Sequence, residues 1–512
     1  PILECLEILR TSRIRSEQTQ CPAAGCPRSW RRLRRGHWYH RVVRGRSYRI
    51  EPRKSDRNAV CCVALFVYCK EFFSLISIWK ADGDEVSRAV ADRDRAVVFA
   101  VLWWAKECEG GHGDLPVVPG GTLANSYRAR YWHRYVRCDS MARMVALSYA
   151  SGHDPDQYYL TGRTPNDPFF AVRTDEAVHC YLTALEFGVS DARAGALGLP
   201  VVEHSLTDVL RRDSAGRVDQ VETAVTILEK HVAHPGPVRV PDTFSLSLAD
   251  GLRARGWQLA VGTLAPERLQ KRAPEVAAIS AALAETAALQ EFVREIIGAA
   301  TPHDGVLYRD GRPLLSEWVR AEVEARAYGA GLHFPEGCII AGGEQSALPH
   351  HHGSGPLPAN APIIVDCYPQ DRTTRYFADC TRTYVAGTPS ETLVRMDAAV
   401  RAAQAAAIAT IAPGVTGRAV HAAAVETFSA YGFHTSASEG FIHSTGHGLG
   451  LSVHEAPRLS AGSDDMLAPG MVLAVEPALY YRAVGGVRIE DVVLVTEGGC
   501  RQLSPPAAPL LV

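Results

Sequence analysis

Four carboxylates in the C-terminal half of the chain terminate or interrupt apolar runs. Asp366 follows Ile363-Ile364-Val365, and Asp379 comes thirteen positions later, within Tyr376-Phe377-Ala378-Asp379-Cys380-Thr381-Arg382-Thr383. Glu476 separates Val472-Leu473-Ala474-Val475 from Pro477, and Glu490 ends Gly486-Val487-Arg488-Ile489 fourteen positions on. An ionised carboxylate on an apolar strand is costly unless it is paired or metal-bound, and two side by side repel each other. A divalent cation between them removes both objections. Any one of these carboxylates alone would be read as a turn or surface residue; four in this order are a strong signal. Between the pairs lies His443-Ser444-Thr445-Gly446-His447-Gly448-Leu449-Gly450-Leu451-Ser452-Val453-His454-Glu455, three imidazoles at spacings of four and seven among three glycines. Four carboxylates and an imidazole make an oxygen-rich shell for two hard or borderline divalent ions. The chemistry such a pair supports is hydrolysis, with a water of lowered pKa and a polarised carbonyl.

The elements that must hold these residues can be read around them. Strands are predicted at 362 to 368, 376 to 386, 471 to 481 and 486 to 496, and a hairpin loop over 368 to 376 would let the two aspartates face each other. Pro274, in the first turn of a helix where its missing N–H costs little, opens a long element. Its apolar face runs through Val276, Ile279, Leu283 and Ala287 to Ile297. Further helices are expected at 314 to 328, 390 to 411 and 416 to 431. Helices flanking a run of antiparallel hairpins predict an α+β domain over residues 269 to 512. Upstream, residues 141 to 268 read as a smaller α/β domain. Its expected pieces are β-rich stretches at Tyr158 to Gly162, Phe169 to Val172 and Ala177 to Tyr181, helices near 220 to 231 and 244 to 255, and strands at 238 to 240 and 257 to 261.

The order Asp, Asp, His, Glu, Glu in the contexts VDCY, ADCTRT, HSTGHGLGLSVHE, VLAVEPALY and GGVRIED resembles the pita-bread metallopeptidases, in their Xaa-Pro aminopeptidase and prolidase branch. The resemblance is close over about residues 270 to 504 and looser over 141 to 268, which is similar to the creatinase-type N-terminal domain of that branch. It does not reach residues 1 to 140. It implies a pita-bread catalytic domain and two divalent metal ions, manganese first, with cobalt, zinc or iron as alternatives. The ligands carried over are Asp366, Asp379, His447, Glu476 and Glu490, with Asp379 and Glu490 bridging. By the same resemblance Glu476 would also accept the proton of the attacking water and return it to the leaving nitrogen. His454 would contact the substrate carbonyl, His443 would line the pocket, and His350 would face the scissile nitrogen. Arg488 would be a substrate-side arginine or one supporting the ligands. The implied substrate is a peptide with proline second, and the implied assembly a homodimer. Thr381 and Thr383 are either donors behind the ligands or ordinary β-formers. Gly446, Gly448 and Gly450 are read as keeping bulk away from the imidazoles.

Two departures from the family pattern stand out. The loop between the aspartates is two residues longer than usual, and Cys367-Tyr368-Pro369 replaces a small residue or glycine. An extended hairpin tip near the pocket follows. The run His350-His351-His352 leaves the third pocket histidine open by a position or two. Two other readings compete with the peptidase: a creatinase-like amidinohydrolase on the same fold, and a pita-bread binding module without catalysis. All five ligand positions are filled, which argues against the second.

Composition bounds the remainder. The chain of 512 residues has a formal charge of -2, but residues 1 to 57 hold fifteen Lys/Arg against five Asp/Glu, leaving the rest acidic. The segment from Arg28 to Arg41 mixes guanidinium groups with aromatics, a combination suited to nucleic acid. Broken apolar runs and a lack of sustained period favour a plain extension over residues 1 to 140 instead, so no nucleic-acid partner is expected. Of thirteen cysteines, eight precede residue 140 and the rest are scattered without a paired framework, which suits a reducing cytoplasm. No stretch reads as a clean membrane span; the longest apolar run, Ala59 to Cys69, stops at Lys70. A chain opening on Pro1 without a signal pattern is expected to lack its natural start.

Overall fold

The computed structural model divides into two compact units, Pro1–Tyr131 and Trp132–Val512. Described are the backbones of the strands Arg15–Glu17, Arg31–Arg32, Tyr39–Val43 and Arg46–Ile50, and residues 145–512 except 188–194 and 233–235. The four short strands pair antiparallel within the first unit, Tyr39–Val43 lying between Arg46–Ile50 and Arg31–Arg32. The side chains of the basic segment, and with them the nucleic-acid reading, lie outside the described residues.

The second unit begins with a six-stranded mixed sheet. Its order is Gln258–Val261, Pro237–Val240, Val145–Ala150, Phe169–Arg173, Val178–Leu182, Val201–Ser205, with antiparallel pairing only around Phe169–Arg173. Side chains alternate across it. Leu147, Phe170 and Val172 pack with Ile227, Leu228, Leu248 and Leu252 of the helices Gln220–His231 and Leu246–Ala254. Ala146, Ala171, Cys180 and Leu182 face the other way, into a core shared with Ile279, Leu283 and Val293 of the helix Ala273–Gly298. One expectation fails here. Tyr158 to Gly162, expected to be β-rich, belongs to the helix Pro155–Thr161. Asp154 caps it by accepting from Gln157 N, Pro155 opens it, and Gly162 closes it at φ 63°. These cap residues carry the same composition as a turn, and they outweigh the β preference of two tyrosines.

The rest of the unit is built from antiparallel ladders. Ile363–Cys367 runs between Ile339–Gly342 and Cys380–Tyr384. A five-stranded sheet orders Glu455–Leu459, Gly446–Gly448, Val472–Val475, Asp491–Thr496 and Gly499–Gln502. Ala478–Tyr481 and Gly485–Arg488 form a separate hairpin. The strands expected to run unbroken through 471 to 481 and 486 to 496 are therefore each divided, at Glu476-Pro477 and at Ile489-Glu490. Pro477 cannot donate to a ladder, and the two carboxylates occupy the break. The long helices form close to their expected bounds, with Ser390 and Thr416 accepting from Leu393 N and Ala419 N at their starts.

The helix Ala273–Gly298 is long and apolar enough to cross a membrane. Its apolar residues, Ile279, Leu283, Leu289, Val293, Ile296 and Ile297, are buried in the core. From it Gln290 donates its amide to the carbonyls of Val365, at 3.1 Å, and Cys380, at 2.7 Å. Gln404, on the helix Glu391–Thr410, donates in the same way to Val475, at 3.2 Å, and Ile489, at 3.1 Å. Each amide thus ties two strands together beside a pair of acidic residues. Replacing either glutamine with leucine keeps the volume and removes both of its hydrogen bonds. Each variant is expected to lose about 1–3 kcal/mol of stability, read from the midpoint of a urea unfolding curve; an unchanged midpoint would refute the clasp.

Candidate active site

Asp366, on the strand Ile363–Cys367, and Asp379, the residue before the strand Cys380–Tyr384, are brought together because those strands pair, Asp366 opposite Thr381 and Cys367 opposite Cys380; the hairpin loop is 368 to 379, three residues longer than the expected 368 to 376. Glu476 and Glu490 meet because Val475 pairs with Asp491 on one side of the break and Ala478 with Arg488 on the other. His447 lies on the strand Gly446–Gly448, which runs between Glu455–Leu459 and Val472–Val475, opposite Arg458 and Ala474. Gly446 and Gly448 are needed there for a reason other than the one expected. A Cβ on Gly446 would fall 1.9 Å from Ala474 O, and one on Gly448 2.1 Å from Ala456 O. The glycines let the neighbouring strands close around His447; they do not clear space in front of it.

Asp379, His447 and Glu490 each present a ligand atom within 4.8 Å of the other two. His447 Nε2 lies 3.8 Å from Asp379 Oδ2 and 3.5 Å from Glu476 Oε1. Its Nδ1 faces Gly448 O at 3.2 Å, which places the proton on Nδ1 and the lone pair on Nε2, toward the carboxylates. Asp366 stands beside this group. Its Oδ2 takes Arg488 Nη2 at 2.5 Å, while its Oδ1 is buried and without a partner, as is Glu490 Oε1.

Electrostatics describe a site short of positive charge. Burial, and then the Glu490 carboxylate, push Asp379 and Glu476 well above the ordinary carboxylate range; burial and then Asp366 bring Glu490 to about 7. Burial lowers His447 to about 3 and His443 to about 4, so both imidazoles are neutral and have a lone pair to give. Two orphaned buried acceptors, neighbouring carboxylates at risk of repulsion and a neutral imidazole aimed at them are the donor set for hard or borderline divalent cations. The five expected ligands fit that group.

The remaining residues surround it. Arg488 is 3 % exposed, and its guanidinium is spent on Asp366, Tyr480 Oη at 2.8 Å, Thr381 Oγ1 at 3.2 Å and Pro349 O at 3.3 Å. Of the two places expected for it, the structure puts it behind the carboxylates, where four of its five N–H donors are used. Thr381 passes that support on, donating to Glu490 Oε2 at 2.8 Å, whereas Thr383 clamps the Arg488 backbone. Tyr480, which the sequence reading missed, joins Arg488 to His443 Nε2 at 3.0 Å. Its signal was the first tyrosine after Glu476, on a strand that must return past the site. His454 is exposed, stands edge-on to His447 with ring centres 4.4 Å apart, and lines a cavity of about 380 Å³. His350 is exposed, and its charge would bear on both His443 and His454. Of the other two histidines in the run, His351 accepts from Gly353 N and His352 pairs with Cys338 O, both tied up in the local turn.

The raised carboxylates make a pH prediction with a definite sign. In chelator, their contribution to stability is fully present below the ordinary carboxylate value and is lost as pH rises through about 7, the value for Glu490. Melting temperatures in chelator should therefore fall between pH 5 and pH 8. Added Mn²⁺ should reverse that fall at pH 8 and do little at pH 5, where protons compete for the same oxygens. A metal-independent melt at pH 8 would show that the oxygens are not a cation site.

Residues 276–497 match the sequence model of Metallopeptidase family M24. The Xaa-Pro dipeptidase of Pyrococcus furiosus is 38% identical over 174 residues, covering 34% of this chain and 48% of that protein. The Bacillus subtilis peptidase YqhT is 39% identical over 177 residues with the same coverage, so the chain spans about half the length of the curated relatives it matches. Among solved structures, the prolidase from Pyrococcus furiosus superposes with a TM-score of 0.58 at 25% identity, over 72% of this chain and 98% of that one. The dipeptidase PepE from Mycobacterium ulcerans superposes with a TM-score of 0.58 at 26% identity, over 77% and 100%. With its ladders, its clasping helices and its acidic centre, the segment from residue 276 to residue 497 has the pita-bread fold of these prolidases, and its sequence is similar to metallopeptidase family M24.

Proposed function

We propose that this protein hydrolyses the bond between an N-terminal residue and a following proline. The observation that carries the reading is the cluster of Asp379, His447 and Glu490, whose ligand atoms lie within 4.8 Å of one another, with Glu476 3.5 Å from His447 and unpartnered oxygens of Asp366 and Glu490 in the same acidic group. The names of the relatives and structural neighbours, Xaa-Pro dipeptidase and prolidase, support the substrate class. Asp366, Asp379, His447, Glu476 and Glu490 would hold two divalent ions, manganese first. Bound there, such ions supply Lewis acidity that polarises a carbonyl and lowers the pKa of water.

The chain's own groups do the rest. Glu476, the most exposed of the inner carboxylates with 16% of its side chain open, accepts the proton of the attacking water and delivers it to the proline nitrogen as that bond breaks. His454, on the cavity side of His447, hydrogen-bonds the oxygen on which negative charge develops. His350 positions the scissile nitrogen, and His443, fixed by Tyr480, lines the pocket. Arg488 holds Asp366 in place throughout. A homodimer in a reducing, cytoplasmic setting completes the proposal; among the described residues Cys180, Cys338, Cys367, Cys380 and Cys500 are all free thiols.

Purified protein reconstituted with Mn²⁺ is expected to release the N-terminal residue from Ala-Pro, followed by amine detection. Glu476→Gln should lower kcat by about 10²–10⁴-fold while the substrate still binds. A protein that takes up two metals and leaves every Xaa-Pro substrate intact would move the assignment to another hydrolase on this fold, such as a creatinase-like amidinohydrolase.

A further inference from the structure

The lengthened loop between Asp366 and Asp379 is folded tightly on itself. Asp371 Oδ1 accepts from the backbone N–H of Thr373 at 2.9 Å and of Thr374 at 2.6 Å, and Gln370 Nε2 donates to Arg375 O at 2.8 Å. The strand Gln370–Asp371 pairs with Leu332–His333, which fixes the base of the tip. Arg375 sits at φ 66°, a left-handed conformation that a bulky side chain adopts only where its surroundings impose it. Such outliers point to a task for the residue that holds them.

The task is visible in where the guanidinium goes. Arg375 Nη1 donates to Gly152 O, Nη2 donates to His153 O at 3.4 Å and lies 3.2 Å from His153 Nδ1, and the group stands over the Tyr158 ring at 4.8 Å. The turn that receives it is rigid in its own right. Gly152 N donates to Pro165 O at 2.8 Å, a Cβ at residue 152 would fall 2.4 Å from Thr164 Cα, and His153 Nε2 lies 2.9 Å from Asn166 Oδ1. Two stiff segments, more than two hundred residues apart in sequence, are thus joined by one side chain. Arg375 and His153 line the same cavity as His454, together with His333, Glu336 and Phe377. At about 380 Å³ that cavity is at the small end of ligand sites, which run from about 300 to 1,000 Å³.

We propose that the Arg375 bridge to Gly152, His153 and Tyr158 walls off the cavity beside His454 and restricts the site to Xaa-Pro dipeptides over longer Xaa-Pro peptides. This rests on the peptidase reading above and names the substrate length for the same site. A dipeptide ends within the cavity. A longer peptide must run on through the wall, and it can do so only by breaking the hydrogen bonds to Gly152 and His153 and lifting the guanidinium from Tyr158. Arg375 is in this sense a specificity-determining residue, acting by occupying the exit.

The test compares kcat/KM for Ala-Pro and Ala-Pro-Ala in the Mn²⁺-loaded full chain, in Arg375→Ala and in His153→Ala, each checked for folding by its melting temperature. The wild type is expected to favour the dipeptide about tenfold or more. Arg375→Ala should bring the ratio close to unity, chiefly by lowering KM for the tripeptide. His153→Ala, which removes one anchor and leaves the loop sequence intact, should shift it the same way by a smaller factor. Equal use of both peptides by the wild type overturns the proposal. So does an unchanged ratio in both variants while Ala-Pro is still cleaved. Cleavage of Ala-Pro-Ala alone by the wild type likewise overturns it, whereas failure to cleave either peptide is a different outcome, since it removes the peptidase reading and the length restriction with it.

Discussion

The structure depends on burying negative charge in one place. Asp379 and Glu490 are 4 % and 2 % exposed and, with Glu476 and Asp366 beside them, would repel one another strongly in a medium that screens poorly. Everything nearby answers that problem. Arg488 brings a guanidinium into contact with Asp366, and Thr381 relays it to Glu490. His447 is kept neutral and directed by Gly448 O. Glu476 and Glu490 sit at breaks where strands leave one sheet and join another. The charge that remains uncompensated is what a cation would supply.

Much of this was legible in the sequence because it is written in residue type. Carboxylates at the ends of apolar runs, an imidazole among glycines and helical periodicity are all local signals, and the ladders and helices formed close to where they indicated. Relations between distant residues were not legible. Nothing near Arg488 shows that its partner is Asp366, and nothing near Tyr480 shows that it joins Arg488 to His443; such pairings exist only once the strands are in register. The glycines of the histidine stretch were seen and misread, since the atoms that forbid a side chain there belong to Ala474 and Ala456. The segment Tyr158 to Gly162 was misread for the opposite reason: its cap residues were local, but they are shared with turns.

The cavity adds a second lesson about sequence length. Two extra residues in a loop would ordinarily be accommodated at the surface at small entropic cost. Here they are consumed by an Asx-type turn at Asp371 and by the reach of Arg375 into the preceding sheet's first turn. A feature that looks like tolerance becomes a contact between the two halves of the unit, next to the place where substrate would lie.

The paired glutamines have a wider consequence. Gln290 and Gln404 do the same thing on different helices, each fastening the two strands that carry two of the acidic residues. The acidic centre is therefore assembled from two equivalent half-cradles that follow one another along the chain, Asp366 with Asp379 and then Glu476 with Glu490. Each half is fastened by its own glutamine, and the acidic group lies where the two halves meet. A cation bound there would act as a keystone, fixing the spacing of two blocks that are each tied internally.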